Sequence, residues 1–98
     1  MKKQTVTKKS KTCKVIFELP AAINAQTACV VGEFNDWNVK ANPMTRGEDG
    51  SFSVTVSLKV GQAHRFRYLL DDGRWENDPA ADAYVPNPYG SDDSVVQL

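Results

Sequence analysis

Ser51-Phe52-Ser53-Val54-Thr55-Val56-Ser57-Leu58 decides the fold. Phe52, Val54, Val56 and Leu58 alternate with small hydroxyl residues, the period of a strand with one face in a core and the other in water. Before it, Gly47-Glu48-Asp49-Gly50 has turn chemistry, and after it Val60-Gly61-Gln62 reverses the chain. A second alternation follows, with Phe66, Tyr68 and Leu70 on one face and Arg65, Arg67 and Leu69 on the other. Further upstream, Cys13, Val15, Phe17 and Leu19 alternate with Lys14, Ile16 and Glu18. Residues 27–32 form a more apolar strand, reached by a loop over residues 20–26.

Asp71-Asp72-Gly73 is a hairpin turn that leads into a short return strand at Arg74-Trp75-Glu76. Residues 77–93 carry Pro79, Pro86 and Pro88 among many Asp and Asn, so they are expected to form an ordered loop. Residues 95–98 supply a final short strand. No segment has the period or length of an ordinary helix. The expectation is an all-β, antiparallel β-sandwich of six to eight short strands over residues 13–98.

The chain has 98 residues, enough for one core and not two. Twelve Lys and Arg balance twelve Asp and Glu, whereas a dedicated nucleic-acid binder usually carries a basic excess. The charge is uneven: residues 1–12 hold five lysines and no acid, and the remainder has a net charge of −5. The first twelve residues therefore read as a disordered basic tail. No apolar run approaches the length of a membrane span, and no apolar stretch of signal-peptide length follows the basic start. A cytoplasmic protein that binds neither membrane nor nucleic acid is expected. Two cysteines, Cys13 and Cys29, are too few for a disulfide framework and read as reduced structural thiols. One histidine, His64, reads as a surface strand residue. No metal site or cofactor is expected.

Gly32-Glu33-Phe34-Asn35-Asp36-Trp37 is followed in order by Pro43-Met44-Thr45-Arg46, Asp49-Gly50-Ser51-Phe52, Phe66-Arg67-Tyr68, Asp72-Gly73-Arg74-Trp75 and Asp78-Pro79. This ordered set resembles the glycogen-binding module of the AMP-activated protein kinase β subunit. It is similar also to the early-set N-terminal domains of isoamylases and glucan branching enzymes. The resemblance covers roughly residues 13–98. It implies an immunoglobulin-like sandwich that binds α-1,4-glucan (glycogen- or starch-like chains) on one exposed face.

A glucan presents flat C–H faces and a rim of hydroxyls, so it needs aromatic platforms with hydrogen-bonding groups at their edges. Trp37 and Trp75 each sit beside a turn, where residue type alone allows either a packed edge or an exposed ring; the resemblance implies the sugar platform. Period two turns Arg67 away from Phe66 and Tyr68. The resemblance implies that it bonds glucose hydroxyls where related modules commonly carry Lys. It places Ser91 and Asp93 where related modules commonly show Thr and Asn, and Asp93 departs by losing amide donors. Tyr89 either covers the ligand or plugs the end of the sandwich. The Asp71-Asp72 turn is one residue longer than in the kinase modules, which shifts Trp75 relative to Trp37. Two stacked rings and a few hydrogen bonds correspond to a dissociation constant of about 10 μM to 1 mM.

Glycoside hydrolysis needs two carboxylates facing each other across a bond. The acidic pairs Asp71-Asp72 and Asp92-Asp93 are adjacent in turns, and no nucleophile or phosphate-loop motif accompanies them. A non-catalytic module is expected. The competing reading is a regulatory protein–protein interaction module on the same scaffold with a degenerate sugar face, docking on a glucan-metabolising enzyme or a regulatory protein.

Overall fold

The computed structural model describes residues 1–3 and 11–98. Its strands are β1 (Lys2–Lys3), β2 (Thr12–Leu19), β3 (Ala28–Gly32), β4 (Thr45–Arg46), β5 (Phe52–Lys59), β6 (Ala63–Leu70), β7 (Trp75–Glu76), β8 (Ala83–Pro86) and β9 (Asp92–Gln97). They form two antiparallel sheets, ordered β1-β2-β5-β4 and β3-β6-β9-β8, with β7 added on β6. The molecule is an all-β sandwich. Single 3-10 turns at Ala21–Ile23 and Glu33–Asn35 interrupt the strands, and no described helix is long and apolar enough to cross a membrane.

Register follows from the alternation. Cys13 pairs with Leu58, Val15 with Val56, Phe17 with Val54 and Leu19 with Phe52, so the apolar faces of β2 and β5 coincide. A slip of one residue would turn the apolar side chains of the slipped strand into solvent, which is why alternation fixes the pairing. Phe66, Tyr68 and Leu70 of β6 meet them from the second sheet together with Val30 and Val96. Phe17 is the hub, with ring centroids of Phe34, Phe66 and Tyr68 at 5.7, 4.9 and 6.4 Å.

Tyr68 is the one core aromatic with a polar tip, and its hydroxyl donates to Asp78 Oδ2 at 2.6 Å. Asp78 is itself buried; its N–H donates to Ser94 Oγ and its Oδ1 accepts the Ala80 N–H. Burial first, and then the bond to Asp78, push the Tyr68 phenol above the usual tyrosine range.

Four expectations are corrected. Lys2–Lys3 pairs with Ile16 and Val15 instead of lying in a disordered tail; ion pairs from Lys2 to Glu18 and from Lys3 to Asp82 hold it. Residues 4–10, the rest of that tail's body, lie outside the described residues. Residues 77–93 contain a strand, β8, at the edge of the second sheet, where the missing N–H of Pro86 costs no ladder bond. The last strand starts at Asp92: Asp93 and Ser94 are buried, with partners at Asn87 in the preceding loop and at Asn77. His64 is buried, with Nε2 2.9 Å from the Lys59 carbonyl oxygen across the β5–β6 turn. Cys13 is buried and Cys29 half-buried, both as thiols; burial raises the Cys29 thiol above its ordinary range, against a weaker pull from the Leu69 carbonyl.

Candidate functional site

The outer face of the second sheet carries Arg65 and Arg67 from β6 and Asp93 from β9, the positions that alternate with core residues. Loops raise aromatic rings around this floor.

Trp37 is held by a latch. At Gly32 the backbone runs so close to β6 that a Cβ would stand 2.4 Å from the Arg65 carbonyl oxygen and 2.8 Å from the Phe34 ring. Glycine is required there for space. Asn35 Oδ1 accepts the Gly32 N–H at 3.0 Å, and Asn35 Nδ2 donates to Val30 O at 3.1 Å and to Asn42 Oδ1 at 2.8 Å. The Trp37 N–H closes the turn onto Gly32 O at 2.9 Å. Asp36 and Trp37 consequently sit at φ 55° and 57°, left-handed conformations that a bulky side chain adopts rarely and at a cost of about 1–3 kcal/mol. Gly, Phe and Asn of the motif thus serve the scaffold, and the strained Trp37 is what they display.

Trp75 has a separate anchor. Gly73, at φ 84°, makes the tight reversal after β6, with Leu70 N–H bonded to Arg74 O at 2.9 Å and Gly73 N–H to Leu70 O at 3.0 Å. The turn is tied across to the 20–27 segment: Asp71 Oδ1 accepts the Gln26 N–H, and Arg74 Nη2 donates to Ile23 O. Asp72 accepts the Arg74 backbone N–H and its guanidinium. The Arg74 backbone N–H above all, helped by the Arg74 side chain, holds the Asp72 carboxyl below the usual range against an opposing desolvation. Trp75 emerges opposite Leu69, on the same outer face. Gly32 lies opposite Phe66, so both platforms take their position from β6.

The two indoles, 40% and 41% exposed, line one groove of about 860 Å³. Arg67, Tyr89 and Asp93 line it too, as do Val39, Arg65, Glu33, Asn87 and Pro88. Five of the six sequence-predicted residues therefore meet. Ser91 does not line the groove; its N–H donates to Asn87 Oδ1 as part of the loop over residues 87–91. That loop also bonds Tyr89 N–H to Asn87 Oδ1 and leaves the Tyr89 ring 91% exposed, so this ring does not plug the sandwich. Asp93 lies on β9 beneath the loop and not in it: it is 5% exposed, accepts from Asn87 Nδ2 at 3.1 Å and faces the Arg65 guanidinium at 3.9 Å. Glu33 is likewise engaged, accepting the Arg65 N–H at 2.8 Å. The Arg67 guanidinium carbon stands 5.7 Å from the Trp75 ring centroid, and its Nη2 donates to Trp75 O at 3.5 Å. Its Nε is buried without a partner among the described residues.

Sequence reasoning missed Arg65, Val39, Glu33, Asn87 and Pro88. Arg65 was within reach, since it shares the face of Arg67 at strand spacing. A smaller cavity of about 370 Å³ near the β5–β6 turn, touching Lys59, Gln62 and His64, contains none of the expected site residues.

Residues 22–97 match the family described as the glycogen recognition site of AMP-activated protein kinase. The 1,4-alpha-glucan branching enzyme of Lactobacillus acidophilus is 40% identical over 80 residues, which are 79% of this chain and 12% of that enzyme. The 1,4-alpha-glucan-branching enzyme of Emericella nidulans is 48% identical over 40 residues, 41% of this chain and 6% of the enzyme. An alpha-amylase of Niallia circulans is 43% identical over 49 residues, 47% of this chain and 4% of the amylase. The chain spans about an eighth or less of the length of these relatives.

Proposed function

We propose that this chain, which belongs to the family of the glycogen recognition site of AMP-activated protein kinase, is a non-catalytic module that binds α-1,4-glucan in the groove on its second sheet. One observation carries the reading: Trp37 and Trp75, presented by two unrelated turns, line the same groove with exposed faces. Sugar rings stack on the indoles, Tyr89 lies against the outer side of the chain, and Arg67 and Asn87 bond the hydroxyl rim. Ser91 acts only through the loop that carries Tyr89, and Asp93 supports the floor rather than reaching for sugar.

The groove carboxylates speak for binding without catalysis. Glu33 and Asp93 each already hold an internal partner, whereas hydrolysis needs one free to give a proton and one free to attack or to activate water. The same bond to Asn87 answers the main reason for a degenerate sugar face. The amide donors lost at Asp93 face the protein, so the competing docking-module reading has less to stand on.

Titration with maltoheptaose, followed by tryptophan fluorescence, tests the proposal, because the two site indoles are the only tryptophans in the sequence. A saturable change between about 10 μM and 1 mM is expected, with none from cellobiose. Unchanged glucan retention in the Trp37→Ala/Trp75→Ala double variant would overturn it.

A further inference from the structure

The charges of the groove do not pair off. The Arg65 guanidinium faces Asp93, and one Glu33 oxygen accepts the Arg65 backbone N–H, so both acids are held at Arg65 and neither is paired with Arg67. Arg67 has no carboxylate within ion-pair distance among the described residues. Its one hydrogen bond is the 3.5 Å contact to Trp75 O, its Nε is buried without an acceptor, and its remaining contact is the indole face. Nε is enclosed, so the outer Nη edge is what the guanidinium offers to the groove, and it stands beside the platform where a sugar ring would stack.

Resting on the groove being the glucan site, we infer that it prefers an α-glucan bearing a phosphate monoester, with the phosphate on Arg67 and the adjoining ring on Trp75. The planar guanidinium fork matches phosphate oxygens in two parallel charge-assisted bonds, each about twice as strong as a bond to a neutral hydroxyl. Sugar hydroxyls are esterified to phosphate without altering the ring that stacks, so one ligand satisfies both groups. The site reads the sugar through the indole and the ester through the charge.

The test compares maltoheptaose, maltoheptaose carrying a 6-phosphate, and inorganic phosphate, by tryptophan fluorescence at low and high salt. The phosphorylated chain is expected to bind about tenfold more tightly than the neutral one. Raised ionic strength should shrink that advantage and leave neutral binding nearly unaffected. In Arg67→Gln both affinities drop and their ratio falls to about one, whereas Arg67→Lys keeps part of the ratio. The salt arm on the unaltered chain keeps the test decisive if Arg67→Gln does not fold. Equal affinities for the two maltoheptaoses overturn this inference and leave the glucan reading intact. Binding of neither overturns both. Displacement of the ester by an equal concentration of inorganic phosphate also overturns the inference, since the site would then recognise a bare anion.

Discussion

Replacing Trp37 by glycine and, separately, by alanine isolates the strain that the Asn35 latch imposes. Both changes remove the same indole, so side-chain packing is lost equally. The backbone differs: at φ 57° alanine keeps a left-handed penalty of about 1–2 kcal/mol that glycine does not bear. Glycine's freer unfolded chain takes back about 0.5–1 kcal/mol. The glycine variant should therefore be more stable than the alanine variant by about 0.5–1 kcal/mol, or about 3–6 °C in melting temperature for a domain of this size. Urea and thermal unfolding followed by circular dichroism read the difference. Both variants should lose glucan affinity alike, by tenfold or more, since the loss belongs to the ring. An alanine variant as stable as the glycine variant would refute the claim that Trp37 is held in strain. A glycine variant that keeps full affinity would refute its role as a platform.

Asn35→Ala strands the Gly32 N–H and the Val30 carbonyl, and should cost about 2–4 kcal/mol in chemical denaturation while also weakening glucan binding. Gly32→Ala drives a methyl onto the Arg65 carbonyl and should cost about 3 kcal/mol or more, with the Trp37 emission altered in whatever folds. Asp72 has a lowered carboxyl pKa in the folded chain, so its contribution is present above the unfolded value and lost as pH falls through the folded one. Acid titration of Trp75 emission in a Trp37→Phe background should show loosening below the usual carboxylate range, and Asp72→Asn should abolish that step.

Strands whose partners lie across one flat interface were legible. Phe52 to Leu58 and Phe66 to Leu70 announce themselves because each second residue is buried or half-buried against the facing sheet. Lys2–Lys3 carries no such signal, since its pairing depends on Glu18 and Asp82, far away in sequence. Ala83–Pro86 was hidden by its flanking prolines and by an edge position that never demands alternation. His64 and Ser94 are polar residues made interior by specific partners, the Lys59 carbonyl for His64 and both Asn77 Oδ1 and the Asp78 N–H for Ser94, which only the folded chain supplies. In the groove, turn context set Trp37 and Trp75 beside turns and strand period set Arg67 on the outer face, but a sugar role for them came from the resemblance, and Tyr89 stood between two readings. Ser91 falls outside the groove and Asp93 sits on its floor because a short closing strand and the Asn87 turn sort their side chains. Neither leaves a local pattern.

The two platforms are gauged from one strand. Trp37 hangs from Gly32, opposite Phe66, and Trp75 emerges opposite Leu69, so their anchor points stand about 10 Å apart along β6. A hydrogen-bond ladder admits only whole steps, and keeping the outer face outward allows only even ones. The anchor points on this caliper can therefore move along β6 by about 7 Å or not at all. Lengthening a turn alters where a ring stands above its anchor, but the spacing of the two anchors is quantised by the sheet. Chain-pitch preference of a glucan in this groove should therefore shift in jumps when strand register changes, and only by small steps when a turn lengthens.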